Sequence, residues 1–151
     1  MSNKVGYRGY IASRAVRGET TPQHVQNLVI RDYANRNKLQ FKLSATEYGM
    51  PMCYMMLESI IEELPTLEGI IVFSMFMLPQ RAERRRAIYR RVLDSGCTLH
   101  AALEALVLKS ERDIQLFEDV FQVQQLTGES QMDLAAQDAA EGSGKMLQFG
   151  R

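Results

Sequence analysis

A chain of 151 residues is one domain's worth of polypeptide, long enough to close a hydrophobic core without disulfide or metal staples. Apolar residues at 46% and charged residues at 24% exclude global disorder, and a formal net charge of zero excludes a global field that would recruit nucleic acid or a basic partner. No apolar run reaches the ~18–20 residues of a membrane span. Cys53 and Cys97 belong to no C-x-x-C pair and the chain opens without a secretory-type segment, so both thiols are expected reduced in a cytoplasmic protein.

In chain order, Val5 to Ala12 is rich in β-branched and aromatic residues and predicts the first strand. After the loop SRAVRGETT, Thr21 is the expected N-cap of a helix with Pro22 at its first position. Val25, Leu28, Val29 and Tyr33 recur at helical spacing through about Asn37. Lys38 to Ser44 alternates and predicts the second strand, with ATEYGMP a loop punctuated by Gly49 and Pro51. A second helix is expected from Met52 to Leu64, ended by Pro65, with Leu57, Ile60, Ile61 and Leu64 inward. Leu67 to Ser74 is apolar without alternation, the signature of a central strand covered on both faces. A third helix follows from Gln80 to Ser95, stopped by Gly96. Thr98 to Leu103 and Ala105 to Leu108 predict a fourth strand broken near Glu104, and Ser110 caps a last helix carrying Ile114, Phe117, Val120 and Phe121. From about Thr127 the apolar pattern fails, which predicts a domain over 1–126 and a flexible tail over 127–151.

Strand–helix alternation predicts an α/β fold, a small three-layer sandwich around a mostly parallel four-stranded sheet, resolvase-like or flavodoxin-like. Ligands of such sheets sit beyond the carboxyl ends of the strands. That rule selects the loops Ser13–Thr21, Ser44–Pro51, Ser74–Pro79 and the turn near Glu104. In the first, Ser13, Arg14 and Arg17 precede a helix amino end, where exposed N–H groups and guanidinium forks suit phosphate or carboxylate. The loop matches neither the dinucleotide fingerprint nor the Walker pattern, so a plain solvated loop is the other reading. His24 in the next turn is a candidate acid or base, or a locally bonded side chain.

In the second loop Ser44, Thr46, Glu47 and Tyr48 concentrate polar groups. Glu47 and Tyr48 could bond sugar hydroxyls, Glu47 could act as general base, or these side chains could simply satisfy loop backbone. Ser74 and Glu104 complete the candidate set. His24 and His100 are the only histidines and no ligand spacing exists, so neither metal nor other cofactor is expected. Arg81, Arg84, Arg85, Arg86, Arg90 and Arg91 in QRAERRRAIYRR read as an exposed amphipathic helix, with a nucleic-acid or acidic-partner surface as the alternative. Met50, Met52, Met55, Met56, Met75 and Met77 read as core and subunit-contact filler.

The stretches GYRGYIASR, PQHVQNLVIRDY, LSATEYGMPMCYMMLE and FSMFMLPQ together resemble the sporadic carbohydrate cluster proteins, over about Gly6 to Gln125. These small proteins are encoded among bacterial genes for surface polysaccharide, and the resemblance implies a genomic setting without assigning a role to any residue. From Tyr7 to Leu108 the chain also resembles the catalytic domains of serine recombinases (resolvases), with Ser13 near that family's nucleophile and Gln23 and Gln26 on the following helix. It departs from them where their chemistry lies. The arginine two residues before the serine is Ile11 here, and the L-D-R-L-x-R stretch is Met75 to Gln80. The resemblance therefore implies the fold and not recombination.

The expected function is that of an accessory protein in surface-carbohydrate biosynthesis that binds a sugar, sugar phosphate or nucleotide-sugar, with Arg14 and Arg17 on the anion. The alternatives are a small enzyme using Ser13, His24 or Glu47, or an interaction module docking on a pathway enzyme. Nucleic acid is not an expected partner, and a homodimer is the expected assembly.

Overall fold

The computed structural model describes residues 3–16 and 18–127. The chain divides into two compact units, residues 1–117 and 118–151, and among the described residues every strand lies in the first. The elements are β1 (Tyr7–Ala12), α1 (Gln23–Arg36), β2 (Phe41–Glu47), α2 (Met55–Glu62), a 3-10 turn Leu64–Thr66, β3 (Gly69–Val72), a 3-10 turn Met75–Met77, α3 (Ala82–Asp94), β4 (Thr98–Ala101) and β5 (Leu106–Leu108). Residues 111–127 are helical, and the expected tail falls outside the described residues beyond that point.

The sheet order is β2-β1-β3-β4-β5. The first four strands are parallel and β5 returns antiparallel to β4. Five strands therefore stand where the sequence pattern predicts four. The broken fourth strand is a hairpin, because residues 102–105 turn the chain and Ala105 takes a φ of 54°. β3 is the covered central strand, with all of Gly69–Val72 buried, as its unbroken apolar run predicts.

Ala45 to Glu47, read as loop from the sequence, continue β2 because they pair with Tyr10 to Ala12 of β1, and three other boundaries move for identifiable reasons. β2 starts later than predicted because Lys38 takes a φ of 57° and Leu39 N–H bonds back to Ala34 O, so these residues still belong to the end of α1. Thr21 does not cap α1. Pro22 is its N-cap, and Thr21 instead offers its carbonyl to the Gln26 amide at 2.8 Å. α2 starts at Met55 rather than Met52, since Met52 has a φ of 61° and the Glu47 carboxylate takes the N–H groups of Met56 and Leu57. Gly96 does stop α3, at a φ of 71° with its N–H on Leu93 O.

β1 first pairs with β2 on one side and then with β3 on the other. The order reverses between β1 and β3, which makes their carboxyl ends the switch point of the sheet. Side chains alternate across it. Tyr10 and Glu47 face α2, while Ser44 faces α1 through Asn27.

Candidate functional site

Arg14 gathers three segments at that switch point. Its Nη1 donates to Cys53 O, its Nη2 donates to Met77 O at 3.3 Å and to Tyr10 Oη at 3.5 Å, and its guanidinium lies 4.6 Å from the centre of the Tyr54 ring. The segments around residues 14, 47 and 76 thus meet at one rim, as the β–α order requires. Among the described residues, Arg14 Nε and one Nη1 proton have no acceptor. Ser13 sits just before it, exposed, and a Cβ built on Gly49 would lie 3.1 Å from its Oγ.

Gln26 fixes where β1 ends. Its Oε1 accepts from Ala12 N at 3.1 Å and its Nε2 donates to Ala12 O at 2.6 Å, so a buried amide completes the strand edge beside Ser13. Glu47 is only 2% exposed. It accepts from Tyr10 Oη at 2.8 Å, Met56 N at 3.0 Å, Tyr48 N at 3.1 Å and Leu57 N at 3.2 Å. Burial pushes its pKa up, but the donors from Met56, Tyr10, Leu57 and Tyr48 outweigh burial and hold the carboxyl below its usual range. Burial first, then the Glu47 carboxylate, push the Tyr10 phenol far above its ordinary value. Glu47 is thus an ionised anchor for the start of α2, and its occupied oxygens do not present a base to a ligand.

Ser74 and Glu104 form a second anchored pair. Ser74 Oγ donates to Glu104 Oε2 at 2.8 Å and accepts from Phe76 N, and Glu104 Oε1 accepts from Met75 N at 2.8 Å. Ser44 donates to Asn27 Oδ1 at 2.6 Å on the opposite face of the sheet, and Thr46 shares that side of β2. Tyr48 is exposed on the loop. His24 lines an open hollow on α1 with Asn27, Leu28 and Arg31, apart from Ser13 and Arg14. Arg17 lies outside the described residues. The rim therefore joins Ser13, Arg14, Glu47, Ser74 and Glu104, and leaves His24 and Ser44 elsewhere.

Two members went unrecognised in the sequence. Tyr54 is a buried ring that takes Arg14 and also Arg84, whose guanidinium lies 4.9 Å from its centre. Arg84 comes from the arginine string, and only the helix geometry of α3 separates it from its neighbours. Arg84 pairs with Glu58, Arg90 with Glu111 and Arg91 with Glu62, while Arg85 is buried on the carbonyls of Pro79 and Gln80. Three of the six arginines are thus paired with surface carboxylates. Between α2 and α3 runs a groove of about 290 Å³ lined by Tyr54, Leu57, Ile61, Ala87 and Ile88 and edged by the Arg84 and Arg91 ion pairs. No group of His, Cys, Asp and Glu among the described residues could hold a metal ion.

No protein-family model matches the sequence, and no curated protein does. Among the solved structures that share its fold are two recombinase domains. One is a resolvase family site-specific recombinase from Streptococcus pneumoniae, with a TM-score of 0.59 and 13% identity, covering 89% of this chain and 99% of that one. The other is the N-terminal catalytic domain of TP901-1 integrase, with a TM-score of 0.52 and 14% identity, covering 84% and 98%. At such identities the likeness establishes the fold alone. The resolvase-like architecture read from the sequence is present, and the carbohydrate-cluster resemblance finds no support in these comparisons.

Proposed function

We propose that this chain is a binding protein for a phosphorylated carbohydrate, a sugar phosphate or nucleotide-sugar, and serves as an accessory in bacterial surface-carbohydrate biosynthesis. The observation that carries the reading is the fixed, partly uncommitted Arg14 guanidinium at the point where strand order reverses, with the exposed Ser13 next to it in the chain. A planar cation with free N–H donors suits a phosphate oxygen, and Arg84, paired with Glu58, lies on the same aromatic ring. Binding is favoured over turnover because Glu47 is engaged and His24 lies apart from Ser13. Glu47 and Glu104 hold loop N–H groups, and among the described residues Ser13 has no side-chain base on its hydroxyl.

A thermal-shift panel of sugar phosphates and nucleotide-sugars on the full chain tests this. At least one compound should raise the unfolding midpoint, and the rise should vanish in a Ser13→Ala/Arg84→Ala variant. Silence across the panel, or an undiminished shift in the variant, would reject the reading. Mass spectrometry of the incubated compounds separates binding from an enzyme, since any chemical change in them rejects a purely binding role.

A second reading has its own observation. Tyr48, Met50, Met52 and Met55 are 52, 59, 60 and 61% exposed, a large apolar display within one short segment beside the α2–α3 groove. This display favours a protein contact, either a second copy or a pathway enzyme. Sedimentation velocity of the chain and of a Met50→Ser/Met52→Ser/Met55→Ser variant distinguishes self-association from a monomer.

A further inference from the structure

At the opposite end of the sheet, where the strands begin, a nucleophilic pair lies outside the rim. Lys4 Nζ is 3.3 Å from Cys97 Sγ. The same two carbonyls hold both atoms. Leu64 O and Leu67 O accept from Lys4 Nζ at 2.9 and 3.2 Å, and from the Cys97 thiol at 3.4 and 3.2 Å. Amine and thiol are therefore fixed side by side, although 93 residues separate them in the chain. Cys97 itself is 3% exposed. A hollow of about 440 Å³ lined by Lys4, Tyr7, Glu68, Gly96 and Thr98 opens beside the pair, and Gly96 and Thr98 are the chain neighbours of Cys97.

We propose that Lys4 and Cys97 form an oxidative cross-link, a sulfenamide between Nζ and Sγ, when the protein meets a peroxide. The thiol gives up its proton and attacks one peroxide oxygen, the O–O bond breaks, and sulfenic acid and one water result. Lys4, after losing a proton to water in the hollow, attacks the sulfenic sulfur through its nitrogen lone pair. The S–O bond breaks, the S–N bond forms, and the second nitrogen proton leaves with the hydroxide as another water. Cys97 sulfur is oxidised by two electrons and the peroxide is reduced to two waters. The short Nζ–Sγ contact favours this capture over further oxygen addition, because the amine already occupies an approach to the sulfur.

The test treats the full chain in a Cys53→Ser background with hydrogen peroxide and reads intact mass and peptide maps. The expected product is lighter by two hydrogens, yields one peptide joining residues 4 and 97, and returns to the starting mass with dithiothreitol. Lys4→Arg keeps the positive charge and the carbonyl contacts but lacks the reactive amine. That variant should gain oxygen at Cys97 and form no linked peptide. Oxygen adducts without a linked peptide in the parent, or no reaction at Cys97 at all, would overturn the proposal.

Discussion

Two buried polar clusters sit on opposite faces of the same sheet, and they are kept in opposite charge states. Glu47, facing α2, is ionised. It is surrounded by five donors, three backbone N–H groups, the Tyr10 hydroxyl and the Cys53 thiol, and the N–H groups and the hydroxyl stabilise the anion more than burial destabilises it. His100, facing α1, is neutral. Its Nδ1 is bonded to Tyr33 Oη at 2.7 Å and its Nε2 to Thr98 Oγ1 at 3.0 Å, and the Tyr7 ring stands edge-on at 5.4 Å. Hydroxyls bond an uncharged imidazole as readily as a charged one, so nothing offsets burial, and the pKa falls to about 4. Burial alone therefore does not decide ionisation in this core. The kind of partner decides it.

Removing the carboxylate breaks the comparison most strongly. Glu47→Ala strands these donors and frees the start of α2, so a loss of about 3–4 kcal/mol is expected in urea unfolding. Glu47→Gln should cost less, since the amide oxygen still accepts. Next comes pH. His100 binds its proton in the unfolded chain near 6.5 but in the folded chain only near 4. The unfolded state thus holds more protons between those values. The stability His100 contributes is complete above pH 6.5 and is lost as pH falls toward 4, on the order of 3 kcal/mol in all. Glu47 acts lower, its contribution being present above the ordinary carboxylate range and lost as pH falls through its depressed value. A pH series of unfolding midpoints should show the upper step vanish in His100→Asn and persist in Glu47→Gln.

Smaller changes sharpen the contrast. A Cβ on Gly69 would lie 2.1 Å from Thr98 O and 2.7 Å from the Tyr7 ring. Gly69→Ala should cost about 2 kcal/mol by pushing β4 and Tyr7 off the His100 cluster, and should raise the pH of its titration step as the imidazole is wetted. At the rim, Ala105 takes a φ of 54° next to Glu104, and Ala105→Gly should stabilise by about 0.5 kcal/mol without altering either pH step.

Much of the frame was legible in the residues. The unbroken GIIV run marked the central strand, Gly96 marked the end of α3, and strand–helix alternation placed loops 14, 47 and 76 at one end. The site was legible as a neighbourhood but not in its roles. Arg14 and Glu47 were visible as polar residues on the expected loops, yet nothing local said that Arg14 would hold Cys53 and Met77 carbonyls or that Glu47 would start α2. Arg84 and Tyr54 were invisible as rim members, since one was among many arginines and the other an aromatic in an apolar stretch.

The amino-acid order by itself determined which segments are strands and helices and which end of the sheet their polar loops crowd, because periodicity and chain reversal are local properties. Only tertiary structure decided which of those polar groups remain available. Hydrogen-bond donors and acceptors from segments far apart in the chain reach Glu47, Glu104, His100 and Cys97, and their number and kind set charge, freedom and reactivity. No window of neighbouring residues contains that information.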